Sequence, residues 1–324
     1  MKITRREMLK WTTAAATSGL WLSALGRMTE ALAAQTPQTP ILWVSQGADH
    51  NNFLAQLGQR LPSFLELVSS HWNLRQYETL APSDSGFSYE KSISAPILVI
   101  EAIPSPERMK SEEGKGLLQA LTQAKAAIFL GTDVCYGGMV TPSATVNDFQ
   151  KICRDQSTPI INLPGIPVPP HHLVGTLGHL DLIGFPRLDA FRRPTLFYGE
   201  LVCTKCENRA MLENGVFAGE WGQKGCLLQL GCKGPVTHNS CASHKWNGGE
   251  SWCVGAGGAC TGCSEPGYPD HGGLGLYGRL PGDRLAMHST MLQHVSGFGW
   301  GLFALAGAGV GAHLLKKYLQ PPQD

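Results

Sequence analysis

The chain has 324 residues, enough for one large or two modest domains with real cores. Its 26 basic and 25 acidic residues leave a formal net charge of +1. With no charged tail, nucleic-acid binding has no electrostatic footprint here.

In chain order, the first segment reads as a targeting device. Arg5 and Arg6 form a twin-arginine pair followed by Leu9 and Lys10. A weakly apolar stretch from Trp11 to about Leu25 leads to the small-residue site Ala31-Leu32-Ala33. Residues 1–34 are therefore expected to be a twin-arginine signal peptide. That route exports folded proteins, so a sulfur-rich chain bound for an oxidising compartment need not be a disulfide framework.

After residue 38 the pattern becomes α/β. Residues 41–45, 95–103, 127–131 and 159–164 read as strands. Helical patterns lie between and after them, at about 52–69, 114–127, 141–153 and 171–183. Such alternation predicts a parallel sheet with crossovers. Ligand sites in such sheets gather beyond the carboxyl ends of the strands. Those ends carry residues 45–52, 101–106, 131–138 and 163–170, rich in Gly, Pro and Asp, with no phosphate-loop or dinucleotide fingerprint. Asp49, His50, Glu101 and Asp133 are either a metal or acid–base cluster or helix caps and solvated loop residues. Cys135 and Cys153 read as small buried residues.

Eight of the ten cysteines fall between residues 203 and 263. They form two sets: Cys203, Cys206, Cys226 and Cys232, then Cys241, Cys253, Cys260 and Cys263. Four thiolates suit zinc or an iron–sulfur cubane, and disulfides are a third reading. Gly and Pro beside the cysteines would let backbone N–H groups face cluster sulfurs. No zinc-protease spacing or nucleophile elbow is present. Near the end, Val295–Leu315 carries no Asp, Glu, Lys or Arg, and Lys316 and Lys317 follow. Residues 294–316 are expected to form a transmembrane anchor with a cytoplasmic end and a Gly/Ala face for partner helices. His313 is a candidate for a partner's haem or quinone.

The chain resembles the [NiFe]-hydrogenase small-subunit family. In the C-terminal half the resemblance is carried by Phe197-Tyr198-Gly199, Val202-Cys203-Thr204-Lys205-Cys206 and Cys232-Lys233-Gly234-Pro235. Asn239-Ser240-Cys241, Ser251-Trp252-Cys253 and Cys260-Thr261-Gly262-Cys263 continue it. Leu42-Trp43-Val44, Gly131-Thr132, Tyr136-Gly137-Gly138 and Leu163-Pro164-Gly165 extend it into the first half. The resemblance implies a flavodoxin-like domain over 38–188 and a loop-rich cluster domain over 189–290. It implies a distal [4Fe–4S] cluster on Cys203, Cys206, Cys226 and Cys232, with cysteine where histidine is usual. It implies a medial cluster on Cys241, Cys253, Cys260 and Cys263. Cys253 there stands in the place of a proline, so this cluster too is expected to be [4Fe–4S].

The family's proximal-cluster thiols are replaced by Asp49, Asn52, Asp133 and Ile166, so no proximal cluster is expected. The expectation that follows is a non-catalytic iron–sulfur subunit relaying electrons through two [4Fe–4S] clusters. It would serve an extracytoplasmic complex held to the membrane by the C-terminal anchor. Partners would be a hydrogenase-large-subunit-like protein or its replacement, a membrane haem or quinone-reactive subunit, an extracytoplasmic cytochrome, and membrane lipid. The alternatives are a [NiFe] hydrogenase small subunit with an altered proximal site, and a structural subunit of a respiratory complex.

Overall fold

The computed structural model describes residues 39–45, 51–58, 63–70, 72–77, 95–246 and 249–281. Five parallel strands form one sheet: β1 (Thr39–Val44), β2 (Trp72–Tyr77), β3 (Ile97–Ile100), β4 (Ala126–Leu130) and β5 (Ile160–Leu163). Their order is β2-β1-β3-β4-β5. This is the doubly wound, flavodoxin-like order, with its switch point between β1 and β3. The parallel sheet expected from the alternation is present.

Every residue of β3, β4 and β5 is buried. Near-continuous apolar runs such as ILVI and AAIFL are what a sheet covered on both faces requires. Successive residues feed opposite faces. Ile41, Trp43, Ile97, Val99, Ile128 and Ile161 belong to one core cluster, and Leu42, Leu98, Ile100, Ala127 and Phe129 to the other. The edge strand β2 was not expected. Its sequence WNLRQY mixes polar residues into a short run, which an edge position tolerates and pattern reading overlooks.

The crossovers are helical. The stretch expected as one helix near 52–69 is two, α1 (Asn51–Leu57) and α2 (Phe64–Ser70). Next come α3 (Pro106–Lys110) and α4 (Glu112–Gln123). Ser105 and Ser111 cap these two by accepting from Arg108 N and Gly114 N. A short α5 (Thr132–Tyr136) leaves the end of β4. Then follow α6 (Ser143–Asp155) and α7 (Pro170–Leu182).

Beyond residue 188 regular structure thins to short helices α8 (Thr195–Tyr198), α9 (Arg209–Glu213) and α10 (Cys241–His244), with 3₁₀ turns between. The described residues up to Arg279 belong to one compact unit. The second unit begins at Leu280, of which only residues 280–281 are described. A small core of Val202, Ala218, Leu227, Trp252 and Val254 holds the loop-rich part. Arg193, 1% exposed, ties it to the end of the sheet part. Its guanidinium donates to Asp189 at 2.7 Å, Glu265 at 2.9 Å and the Ser264 carbonyl at 3.1 Å. A charge this deep is tolerable only with such complete pairing.

No helix among the described residues is long and apolar enough to cross a membrane. α6 and α7 run 13 residues each, against the roughly 20 needed for a span. This corrects the expected fold class, which a C-terminal transmembrane helix completed. It also corrects the expected location, which both chain ends had suggested, in its single-pass C-terminal anchor: no described helix supports one. The segments expected to be the leader (1–34) and the anchor (294–316), with His313, lie outside the described residues.

Candidate functional site

Three cavities carry the residues singled out from the sequence. The first gathers Cys203, Cys206, Cys226 and Cys232 with Arg209, Leu227 and Pro235. Cys203 sits in the 3₁₀ turn Val202–Lys205, and Cys206 caps that turn. Gly231 then turns left-handed (φ 88°) to bring Cys232 back, where a Cβ would overlap the Tyr277 carbonyl oxygen. Asn208 N donates to Cys206 Sγ at 3.4 Å, and Arg209 Nη1 lies 3.7 Å from Cys203 Sγ. Burial pushes the Cys206 thiol up to about 11 and raises those of Cys203, Cys226 and Cys232. Arg209 opposes the rise at Cys203.

The second cavity gathers Cys241, Cys253, Cys260 and Cys263 with Trp246, Trp252, Tyr268 and Ile166. Cys241 Sγ donates to Asn239 Oδ1 at 3.0 Å. Burial raises Cys263 to about 11 and lifts Cys241 and Cys260 well above the usual thiol range. Thus each cysteine set expected from the spacing shares one cavity, and all ten cysteines are free thiols, so the disulfide reading is set aside.

Sharing a cavity is not the same as fitting a cluster. Among the described residues, no group of three or more His, Cys, Asp or Glu side chains could hold a metal ion. The first cavity measures about 20 Å³, the room of one water. The second measures about 320 Å³. The residues as placed do not fit two [4Fe–4S] clusters. This overturns the expected cofactors and the expected two-cluster relay function.

The third cavity lies beyond the carboxyl ends of β1, β3, β4 and β5, and measures about 530 Å³. Asn52, Asp133 and Ile166 all line it, as do Ser45, Glu101 and Thr132. Asp49 and His50 lie outside the described residues. The sheet therefore brings together the three described positions expected to mark the altered site. Asn52 is committed to the backbone: its Oδ1 accepts from Val168 N at 2.9 Å, and its Nδ2 donates to the Leu130 carbonyl at 3.3 Å. Gly131 (φ 112°) permits that approach, since a Cβ there would lie 2.7 Å from Asn52 Nδ2. Asp133 Oδ1 accepts from Met139 N and Val140 N, both at 2.8 Å, and its Oδ2 from Thr141 N at 2.9 Å. Glu101 accepts from Trp43 Nε1 at 2.8 Å and Phe53 N at 2.9 Å. The metal or acid–base cluster considered for Asp49, His50, Glu101 and Asp133 is not formed by the two described carboxylates, which brace loops. Cys135 and Cys153 are buried core residues, as expected.

Sequence reasoning missed two features. Lys233, fully buried, follows Cys232, and its backbone N–H donates to the Cys260 carbonyl at 2.7 Å. Its ammonium donates to the carbonyls of Gly231 (2.9 Å), Leu276 (3.1 Å) and Gly278 (2.6 Å). A lysine set directly after a candidate ligand cysteine was the available signal. The other is a histidine cluster on α7 and α10. His172 Nε2 lies 2.8 Å from Ser240 Oγ and its Nδ1 2.9 Å from Tyr198 Oη. The His171 ring packs against those of His172 and His244.

Residues 198–274 match the family model for the C-terminal part of the NiFe/NiFeSe hydrogenase small subunit. The chain is 31% identical over 298 residues to the Hydrogenase-2 small chain of Escherichia coli strain K12, covering 84% of this chain and 79% of that one. It is a member of the NiFe/NiFeSe-hydrogenase small-subunit family. The quinone-reactive Ni/Fe-hydrogenase small chain of Wolinella succinogenes is 30% identical over 291 residues, with 83% of this chain and 82% of the relative covered. Among solved structures, the Ni-Fe-Se hydrogenase of Desulfomicrobium baculatum superposes with a TM-score of 0.62 at 24% identity. That match covers 75% of this chain and all of the solved one, and shows the shared fold. The third cavity of this hydrogenase small-subunit relative is lined by Asn52, Asp133 and Ile166, the described positions at which an altered site was expected.

Proposed function

We propose that the chain is the small subunit of a [NiFe]-hydrogenase-type hydrogen:acceptor oxidoreductase with an altered proximal site. The observation that carries this reading is 31% identity spread over 84% of the chain. Likeness confined to the cysteine-rich half would leave the sheet part unexplained. In this reading the chain makes and breaks no substrate bonds itself. Its partner is a large-subunit-like protein that holds the hydrogen-activating metals, and its acceptor side faces a membrane redox subunit. The name of the quinone-reactive relative supports that second partner.

The proposed site residues are Cys203, Cys206, Cys226 and Cys232 in the first cavity, and Cys241, Cys253, Cys260 and Cys263 in the second. Two sets of four soft thiol donors, each set gathered in one pocket, are the chemistry that suits a redox subunit. The proposed division remains a sheet domain over 38–188 and a loop-rich domain over 189–290, consistent with separate core clusters on either side.

The test is purification of the full-length chain from its native host through a tag. A nickel-bearing partner should co-purify, and the preparation should reduce a viologen dye under hydrogen. Purification without any nickel-bearing partner sinks the reading. Cys206→Ser and Cys263→Ser should each lower hydrogen-dependent dye reduction while leaving partner capture intact. Unchanged dye reduction in both would remove the cysteines from the site.

A further inference from the structure

The third cavity has a chemistry of its own. Three successive backbone N–H groups, at Met139, Val140 and Thr141, converge as in the nests that bind anions. The Asp133 carboxylate already fills that nest. Nearby, Gly131 N and Thr132 N donate to the carbonyls of Leu163 and Gly165. The cradle that a phosphate would use at the end of β4 is thus occupied by the chain itself. Glu101 adds a second carboxylate to the wall, and none of the described lining residues is Lys, Arg or His. An anionic guest would enter against like charge, with these donors already committed.

An uncharged guest meets a different surface. Ile103, Val134, Val140, Ile166 and Pro167 supply apolar wall. At the mouth, Val140 is 80% exposed, Met139 49% and Ile166 40%. The volume of about 530 Å³ lies within the range of roughly 300–1,000 Å³ typical of small-molecule sites. The place is also the one where this strand order puts ligands, beside the switch point between β1 and β3.

We infer that this cavity is a binding site for an uncharged, phosphate-free, largely apolar small molecule, with Asp133 acting as the built-in anion that turns phosphates and carboxylates away. The inference takes its location from the altered proximal site proposed above, but its test needs no hydrogenase activity, so the two can fail separately.

Two fluorescent probes that share a ring system and differ in charge make the test. N-phenyl-1-naphthylamine is uncharged, and 1-anilinonaphthalene-8-sulfonate carries a sulfonate. The purified full-length chain should bind the uncharged probe at one site, at least tenfold more tightly than the sulfonate. Ile166→Trp, which adds bulk to the wall, should weaken the uncharged probe about tenfold. Val140→Lys, at a position exposed enough to leave folding alone, should bring the two affinities to within about threefold by tightening the sulfonate. Absence of uncharged-probe binding to the wild-type chain overturns the inference. So does equal affinity for both probes, or two folded variants that leave both affinities unchanged.

Discussion

The sheet part and the loop-rich part of this chain solve the same problem by different means. Among the described residues between Thr39 and Leu182 most of the backbone is paired in strands and helices, and the side chains of the two core clusters between them are apolar. Beyond residue 188 the helices shorten to four or five residues, and many carbonyls have no helix or strand partner. There, buried cations take over. Lys233 caps three carbonyls, and Arg193 joins two carboxylates and a fourth carbonyl. Where the chain must wrap cavities rather than stack layers, long charged side chains do the work of a hydrogen-bond ladder.

Breaking the sheet part should have the largest effect. Trp43 is 1% exposed, meets Phe53 and Phe64 edge-on, and donates to Glu101. Trp43→Ala should cost about 4 kcal/mol, measured as a lower urea midpoint for the whole unit. Lys233→Met should cost about 3 kcal/mol, because three buried carbonyls lose a charged donor. The contrast is in where the cost appears. Hydrogen exchange should rise around residues 231–278 while β3 and β4 stay protected; uniform loss of protection would mean that the two parts share one stabilising network. Gly231→Ala should cost about 2 kcal/mol, since its left-handed φ and the Tyr277 carbonyl both oppose a side chain. Asn52→Ala removes two hydrogen bonds that tie α1 to the end of β4 and to the loop before α7, and should cost about 1–2 kcal/mol.

The smallest effect is a pH dependence of the contact between α7 and α10. Burial, with the charge of His244 second, lowers His171 to about 3, and burial lowers His244 to about 4. An unfolded histidine titrates near 6.5. Both folded values lie below that, so the unfolded chain binds more protons in the interval between, and stability falls as pH drops from about 6.5 toward 3–4. The melting temperature should decline over that window, and His171→Phe should flatten part of the decline. A melting temperature independent of pH from 7 to 4 would contradict the neutral buried pair.

Much of the sheet part was legible because its signal is local. The runs at 97–100, 126–130 and 160–163 are apolar, short and bounded by Gly or Pro, and four of the five strands follow from them and from 39–44. The edge strand β2 was hidden by the polar residues that suit an edge. The loop-rich part was legible only through its cysteines. Their spacing marked which four share each cavity, but spacing carries no depth. It did not show that the first cavity closes to the room of a single water. Lys233 and Arg193 were illegible for a related reason: a charged residue in a loop reads as solvated until its carbonyl and carboxylate partners, up to 72 positions away in the chain, are placed.

Asp133 also organises the loop that follows it. Three amides of that loop are folded around its carboxylate, so placing a thiol at that position would do more than supply a sulfur. It would strand Met139, Val140 and Thr141 without their acceptor and release the bend they hold. The residue at this position therefore sets the course of the chain for the eight residues that follow it, and any exchange there is paid in backbone as well as in side chain.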